Sequence, residues 1–147
     1  MTNQEEQNLI DYLFAEKCSC VLRNGNEIRV FRGRGVADIY RLLKEEPEFL
    51  DGVFIADKVV GKAAAALMIL GGVRKVFADV ISRPAHNLFW ENRIKADFTI
   101  EVPHIINRTR TDWCPLEKRC VNVVTAEDCL PIVDSFITET LNRENCI

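Results

Sequence analysis

Apolar residues fall at helical spacing almost from the start of the chain. Leu9, Ile10, Leu13 and Phe14 share one face of residues 3–16, which predicts an amphipathic N-terminal helix. Two extended runs follow, at 18–23 and 27–32. Asn24-Gly25-Asn26 separates them, and that turn chemistry predicts a β-hairpin. Helical spacing returns over 36–44 through Val36, Ile39, Tyr40 and Leu43. Glu45-Glu46-Pro47 closes this segment, because a proline disfavours helix in the residue before it.

The middle of the chain alternates in type. Residues 53–56 read as a short buried strand, and 61–70 as an alanine-rich helix ended by Gly71-Gly72. Residues 76–81 form a second buried strand, 84–92 a helix with Pro84 in its first turn, and 98–102 a further strand. Residues 103–113 are polar and irregular, and 114–120 make one short helical piece. A last amphipathic helix covers 125–141, with Thr125 as N-cap and Pro131 a blemish near its first turns. Apolar strands alternating with helices predict an α/β fold: a sheet covered by helices, with parallel neighbours in this half. With no repeat and no linker, residues 1–147 read as a single domain.

Composition narrows the picture. The chain is 48% hydrophobic and 28% charged, enough apolar residue for a sizeable core and free of disordered or fibrous bias. A net charge of −3 removes the overall basic footprint of a nucleic-acid binder. Glu5 and Glu6 stand where a signal peptide carries basic residues, and the longest apolar run, 63–70, is far too short to cross a bilayer. A cytoplasmic protein without a membrane partner is expected. In that setting Cys18, Cys20, Cys114, Cys120, Cys129 and Cys146 are read as free thiols.

The order hairpin, helix, strand, helix, strand, helix, strand resembles the cytidine-deaminase-like fold. Two segments sharpen the likeness: Val59-Val60-Gly61-Lys62-Ala63-Ala64-Ala65 and Ser82-Arg83-Pro84-Ala85-His86-Asn87-Leu88, each beginning a helix after a buried strand. The resemblance implies a three-layer α/β/α architecture around a mixed sheet of about five strands. In the deaminases the first segment carries a His or Cys zinc ligand with a Glu two residues later, and the second carries Pro-Cys-x-x-Cys. Here Val60 takes the first ligand position, Lys62 the Glu position, and Ala85 and Leu88 the two cysteine positions. Zinc supplies the hydroxide in that chemistry and the Glu moves the protons, so hydrolytic deamination has neither nucleophile nor acid here. The chain is also similar to a small prokaryotic family of uncharacterised proteins of this fold, across roughly residues 15–120. That similarity rests on Asp57-Lys58-Val59-Val60-Gly61-Lys62-Ala63-Ala64-Ala65, Val102-Pro103-His104-Ile105-Ile106-Asn107-Arg108 and Thr111-Asp112-Trp113-Cys114-Pro115-Leu116-Glu117. It implies a fold and no activity.

Several groups could still carry chemistry. Gly61-Lys62 invites a P-loop reading, but Ala56 replaces the first glycine and Ala63 the Ser/Thr, so the Mg²⁺ ligand is missing. A lysine in the first turn, beside the free N–H groups of a helix start, still predicts an anion site. Asp57 and Lys58 follow a strand at its carboxyl end, where open α/β sheets place their ligands, and Asp57 could pair with Lys62. In the 107–112 loop, Arg108 and Arg110 among Asn107, Thr109, Thr111 and Asp112 suit a forked grip on phosphate or carboxylate. Cys114-Pro115-x-Glu117 sets a thiol at a helix start with a carboxylate one turn on. A buried thiol beside Trp113 is the plainer reading of Cys114. The only histidines for a cysteine base are His86 and His104. Cys18-x-Cys20 places two thiols on one strand face, but no second pair completes a zinc set, so no metal and no cofactor are expected.

These residues predict a module that binds a small anionic or nucleotide-like molecule. Asp57, Lys58, Gly61 and Lys62 would come from the strand–helix turn. Asn107, Arg108, Thr111 and Asp112 would come from the loop, and Cys114 and Glu117 from the helix after it. Two alternatives stay open: an enzyme with non-zinc chemistry using Cys114 or Lys62, and an interaction scaffold. A homo-oligomer is compatible with all three.

Overall fold

The structure, a computed structural model, describes residues 1–33 and 35–145. Helix α1 (Asn3–Ala15) opens the chain behind a capping box, in which Thr2 accepts from the Glu5 N–H and Glu5 accepts from the Thr2 N–H. Strands β1 (Cys20–Asn24) and β2 (Glu27–Phe31) form the hairpin, joined through Gly25 at φ 60°, a conformation glycine adopts without strain. Helix α2 (Ala37–Glu45) ends before Pro47. That proline then starts a short helix, α3 (Pro47–Leu50), which the sequence pattern did not suggest. The remainder alternates as β3 (Phe54–Val60), α4 (Lys62–Leu70), β4 (Lys75–Ser82), α5 (Arg83–Glu91) and β5 (Lys95–Val102), then α6 (Pro115–Cys120) and α7 (Ala126–Asn145). Pro131 lies inside α7, whose start is capped by the Thr125 hydroxyl accepting from the Asp128 N–H at 3.1 Å.

The five strands form one mixed sheet in the order β2-β1-β3-β4-β5. β1 runs antiparallel to β2 and β3, while β3, β4 and β5 are mutually parallel. Period-2 alternation divides the side chains between two faces. Val21, Phe54 and Ala56 pack against Leu9 and Leu13 of α1 on one face. Cys20, Leu22, Ile55, Val76 and Ala78 face the other layer, where the larger core lies. Full burial of Leu13 stabilises this docking by about 2 kcal/mol. Glu6 also ties α1 to the sheet through an ion pair with Lys75 at 2.7 Å.

Helix α4 forms the middle of the larger layer, touching α5, α7, α2 and α6. Its residues 62–68 are all buried, and a helix apolar all round has no solvent face to offer. Runs of alanine there let the neighbouring helices approach closely. Three layers result: α1, the sheet, and the remaining helices. No helix among the described residues is long and apolar enough to cross a membrane.

Two strands exceed the reach of their apolar runs. β3 continues past Ala56 to Val60 because residues 57, 59 and 60 pair with β4. Asp57 and Lys58 therefore lie within the strand and not in a turn after it. β5 begins at Lys95, three residues before the expected start, through pairing with Lys75 and Val76. The two thiols expected on one face are separated: Cys18 packs under α1, whereas Cys20 joins the larger core. Cys18 lies before β1, so strand alternation does not govern it. Cys18, Cys20, Cys114, Cys120 and Cys129 are free, and Cys146 lies outside the described residues.

Candidate functional site

A cavity of about 590 Å³ opens where β3 runs on beyond the start of β1. Its walls come from the β1 entry, Gly33, Gly35 and the start of α2, the end of β3 with the first turn of α4, the 105–108 segment, α6, and Phe136 and Thr140 of α7. Of the residues expected from sequence, Asp57, Lys58, Gly61 and Lys62 line it from the strand–helix junction. Asn107 and Arg108 line it from the loop, and Cys114 and Glu117 from α6. Thr111 and Asp112 are not part of its wall.

Glu117 occupies the helix start that sequence reasoning left free for a ligand. It is 2% exposed, and its Oε1 accepts from the Lys62 N–H at 3.3 Å and from the Ser82 hydroxyl at 2.9 Å. Ser82 in turn accepts from the Ala85 N–H at 3.2 Å, capping α5. One carboxylate thus joins the first turns of α4 and α5. It supplies the negative charge that a helix N-terminus favours. Glu117 Oε2 is buried and has no hydrogen-bond partner among the described residues. Gly61 makes this approach sterically feasible, since a Cβ there would lie 2.5 Å from Oε2.

Lys62 differs from its expectation as well. Its side chain is buried, and its ammonium donates to the carbonyl of Val121 at 3.3 Å and to that of Val123. The lysine therefore closes the end of α6 and the turn after it, and it is not a free cation at the mouth of an anion site. Asp57 does not pair with it. Asp57 stands opposite Cys20 in the β1–β3 register and accepts from the Val59 N–H at 3.2 Å. Burial pushes its carboxyl up to about 7, against the lowering effect of the Val59 and Lys58 N–H groups and the Cys20 thiol. Burial, with Asp57 beside it, also raises the Cys20 thiol well above its ordinary value. Asp57 is consequently a carboxyl that takes up and loses its proton around neutral pH, far above the usual carboxylate range.

The 107–112 loop spends most of its polar groups on itself. Asn107 Oδ1 accepts from the Thr111 N–H at 3.1 Å and the Thr109 hydroxyl at 3.2 Å, and the Asn107 N–H donates to the Asp112 carbonyl at 2.9 Å. Asp112 accepts from the Trp113 N–H at 2.7 Å and pairs with Lys118 at 2.5 Å; that lysine holds its carboxyl below the usual range. Thr111 and Asp112 thus shape the loop and brace it against α6. Arg110, at φ 56°, is one of the turn residues and does not line the cavity, so the expected two-arginine grip reduces to Arg108.

Cys114 is half-buried on the cavity wall, with its N–H donating to the Ile105 carbonyl at 2.8 Å. Neither histidine lines the cavity. His104 stacks on Trp113 with ring centres 3.5 Å apart, and His86 Nδ1 lies 2.7 Å from Glu101 at the β5 edge. Val60, Ala85 and Leu88 are core residues, 0%, 0% and 2% exposed. Among the described residues no three of His, Cys, Asp and Glu gather closely enough to hold a metal ion. Sequence reasoning missed Ser82 and the orphaned Glu117 oxygen. Ser82 before Arg83-Pro84 was a legible N-cap signal; its bond to Glu117 spans 35 residues and had none.

The profile of the domain of unknown function DUF1893 matches residues 8–137, beyond both ends of the 15–120 stretch that carried the sequence resemblance. No curated protein matches. A solved structure, the DUF1893 family protein TM1506 from Thermotoga maritima, superposes with a TM-score of 0.83 at 24% identity. The alignment covers 92% of this chain and 91% of that one, and at this identity it establishes the shared fold alone. With the profile spanning nearly its whole length, the chain belongs to the DUF1893 family, a domain of unknown function.

Proposed function

We propose that this protein is a non-deaminating module on a cytidine-deaminase-like scaffold, and that its cavity receives a small nucleotide-like or anionic molecule. The cavity itself carries the reading. At about 590 Å³ it falls within the usual range for small-molecule sites, and it brings Asp57, Arg108 and Glu117 from three separate elements onto one surface. The scaffold reading is supported by the hairpin followed by three parallel strands, with helices beginning at Lys62 and Arg83 directly after β3 and β4. Apolar Val60, Ala85 and Leu88 at the zinc-ligand positions favour binding over hydrolysis.

The occupied start of α4 moves the expected anion contact outward. Among the described residues, Lys58 and Arg108 are the cavity cations not committed to Glu117 or to backbone carbonyls, so they are the groups that would meet a phosphate or carboxylate. The test is thermal unfolding with inorganic phosphate, nucleosides and nucleoside monophosphates. A ligand at 100 times its dissociation constant stabilises by about 2.7 kcal/mol. The phosphorylated members should lose most of their advantage over the nucleosides in Arg108→Ala. A panel without any shift in the wild-type protein refutes the proposal.

A further inference from the structure

The inner end of the cavity contains a polar atom that the fold leaves unsatisfied. Glu117 is 2% exposed, yet only Oε1 has partners, the Lys62 N–H and the Ser82 hydroxyl. Oε2 has none. Buried acceptors are almost always paired, and a carboxylate oxygen is a strong one, so an orphan at this depth calls for a missing donor. The Lys62 ammonium does not fill this place: it donates to the carbonyls of Val121 and Val123 and makes no hydrogen bond to Oε2. Oε2 comes close to the Gly61 backbone because that residue has no side chain. A Cβ there would stand 2.5 Å from Oε2 and 3.3 Å from Ile105 Cγ1. Gly61, Ile105 and Glu117 all line the cavity, so the unpaired carboxylate belongs to its wall.

We propose that the inner end of the cavity recognises an N–H donor on its ligand, a neutral amino group or a protonated amine, through Glu117 Oε2. The inference rests on the reading that the cavity holds a small molecule, and it fixes which end enters first. An anionic group at this depth would face a carboxylate already committed to the helix start, so charge repulsion directs phosphate or carboxylate to the rim. Oε1 is saturated, so the contact is made through Oε2 alone and is not a forked one across both oxygens.

Matched nucleosides test this directly, because cytidine and pyrimidin-2-one riboside, or adenosine and purine riboside, differ only in that the second member of each pair lacks the amino group and has no base N–H in its place. Calorimetric titration of the wild-type protein should give about ten- to hundredfold tighter binding for the amino member of a pair, the discrimination expected when a buried charged acceptor gains or loses its donor. In Glu117→Gln the amide oxygen can keep the Lys62 N–H and the Ser82 hydroxyl while its NH₂ takes the place of Oε2. The preference should then vanish or reverse toward the member without the amino group. Equal binding of both members by wild type, or tighter binding of the member without the amino group, overturns the donor inference and leaves the ligand-binding reading standing. Binding of neither member of either pair overturns that reading and the inference together. The wild-type comparison decides the matter even if the variant does not fold.

Discussion

Glu117 Oε2 and Gly61 are closer than any other residue at position 61 would permit: a Cβ on the glycine would lie 2.5 Å from that oxygen. The backbone at Gly61 is extended, φ −95°, so the constraint is the approach of the carboxylate and not the local conformation. Gly61→Ala is expected to push Glu117 off the Lys62 N–H and the Ser82 hydroxyl. The loss of two hydrogen bonds to a buried charge should cost about 1–3 kcal/mol. Urea unfolding measures it, and an unchanged midpoint would mean the carboxylate swings aside freely.

Lys62→Ala would be nearly neutral for a solvated lysine, since alanine is a good helix former. The structure leads to a different outcome. Removing the ammonium leaves the Val121 and Val123 carbonyls without their donor, with an expected cost of about 1–3 kcal/mol. Arg108→Ala, at an exposed site, should change stability by less than about 0.5 kcal/mol. The two variants compared in one denaturant series separate a structural lysine from a surface one.

Asp57 makes a pH-dependent contribution of definite sign. Its folded carboxyl titrates near 7 against an ordinary value of 3.8, so the folded state holds the proton more tightly than the unfolded one. Stability linked to this group is complete below about pH 4 and is lost as pH rises through 7. Relative to Asp57→Asn, the wild-type protein should lose on the order of 2–4 kcal/mol between pH 4 and pH 8. Parallel stability curves for the two proteins across that range would contradict the assignment.

Thiol chemistry should single out Cys114. Cys18, Cys20, Cys120 and Cys129 are buried, and the thiols of Cys20 and Cys120 are raised: Cys20 by burial and its neighbour Asp57, Cys120 by its contact with Cys129 and by burial. Cys114 is half-buried and lines the cavity. Iodoacetamide should label it ahead of those four, and a bound ligand should slow that labelling. Mass-spectrometric mapping of the modified peptides reads both effects, and equal rates at Cys114 and Cys20 would contradict the expectation.

Much of the architecture was legible because it follows from local rules. The face shared by Leu9, Leu13 and their neighbours, the Asn24-Gly25-Asn26 turn and the alanine-rich α4 all signal themselves within a few residues. The end of β3 did not: Asp57 to Val60 is extended because β4 lies alongside, and no polar run announces its partner. The candidate site divides in the same way. Lys62 in a first helical turn was visible as a conflict with the helix dipole, but its resolution, a reach to carbonyls some sixty positions away, is a tertiary fact. Glu117 was noticed for its closeness in sequence to Cys114, whereas its partners lie 55 and 35 residues back in the chain. Thr111 and Asp112 were grouped with Asn107 and Arg108 by composition, and the loop's own turn separates them.

The double attachment of α6 bears on how this protein comes apart. Glu117 in its first turn is bound at the head of α4, and the turn after it hangs from the Lys62 ammonium in the same place. The 114–123 segment therefore has no graded way to loosen. Releasing either anchor exposes a charge that the other cannot satisfy, so both bonds should let go in one step. In native-state hydrogen exchange such a segment behaves as a single latch: its protected amides share one opening free energy, below that of the sheet beneath. Passage into the inner cavity would then be governed by how often the latch lifts, a frequency set by two side chains at the first turn of a helix.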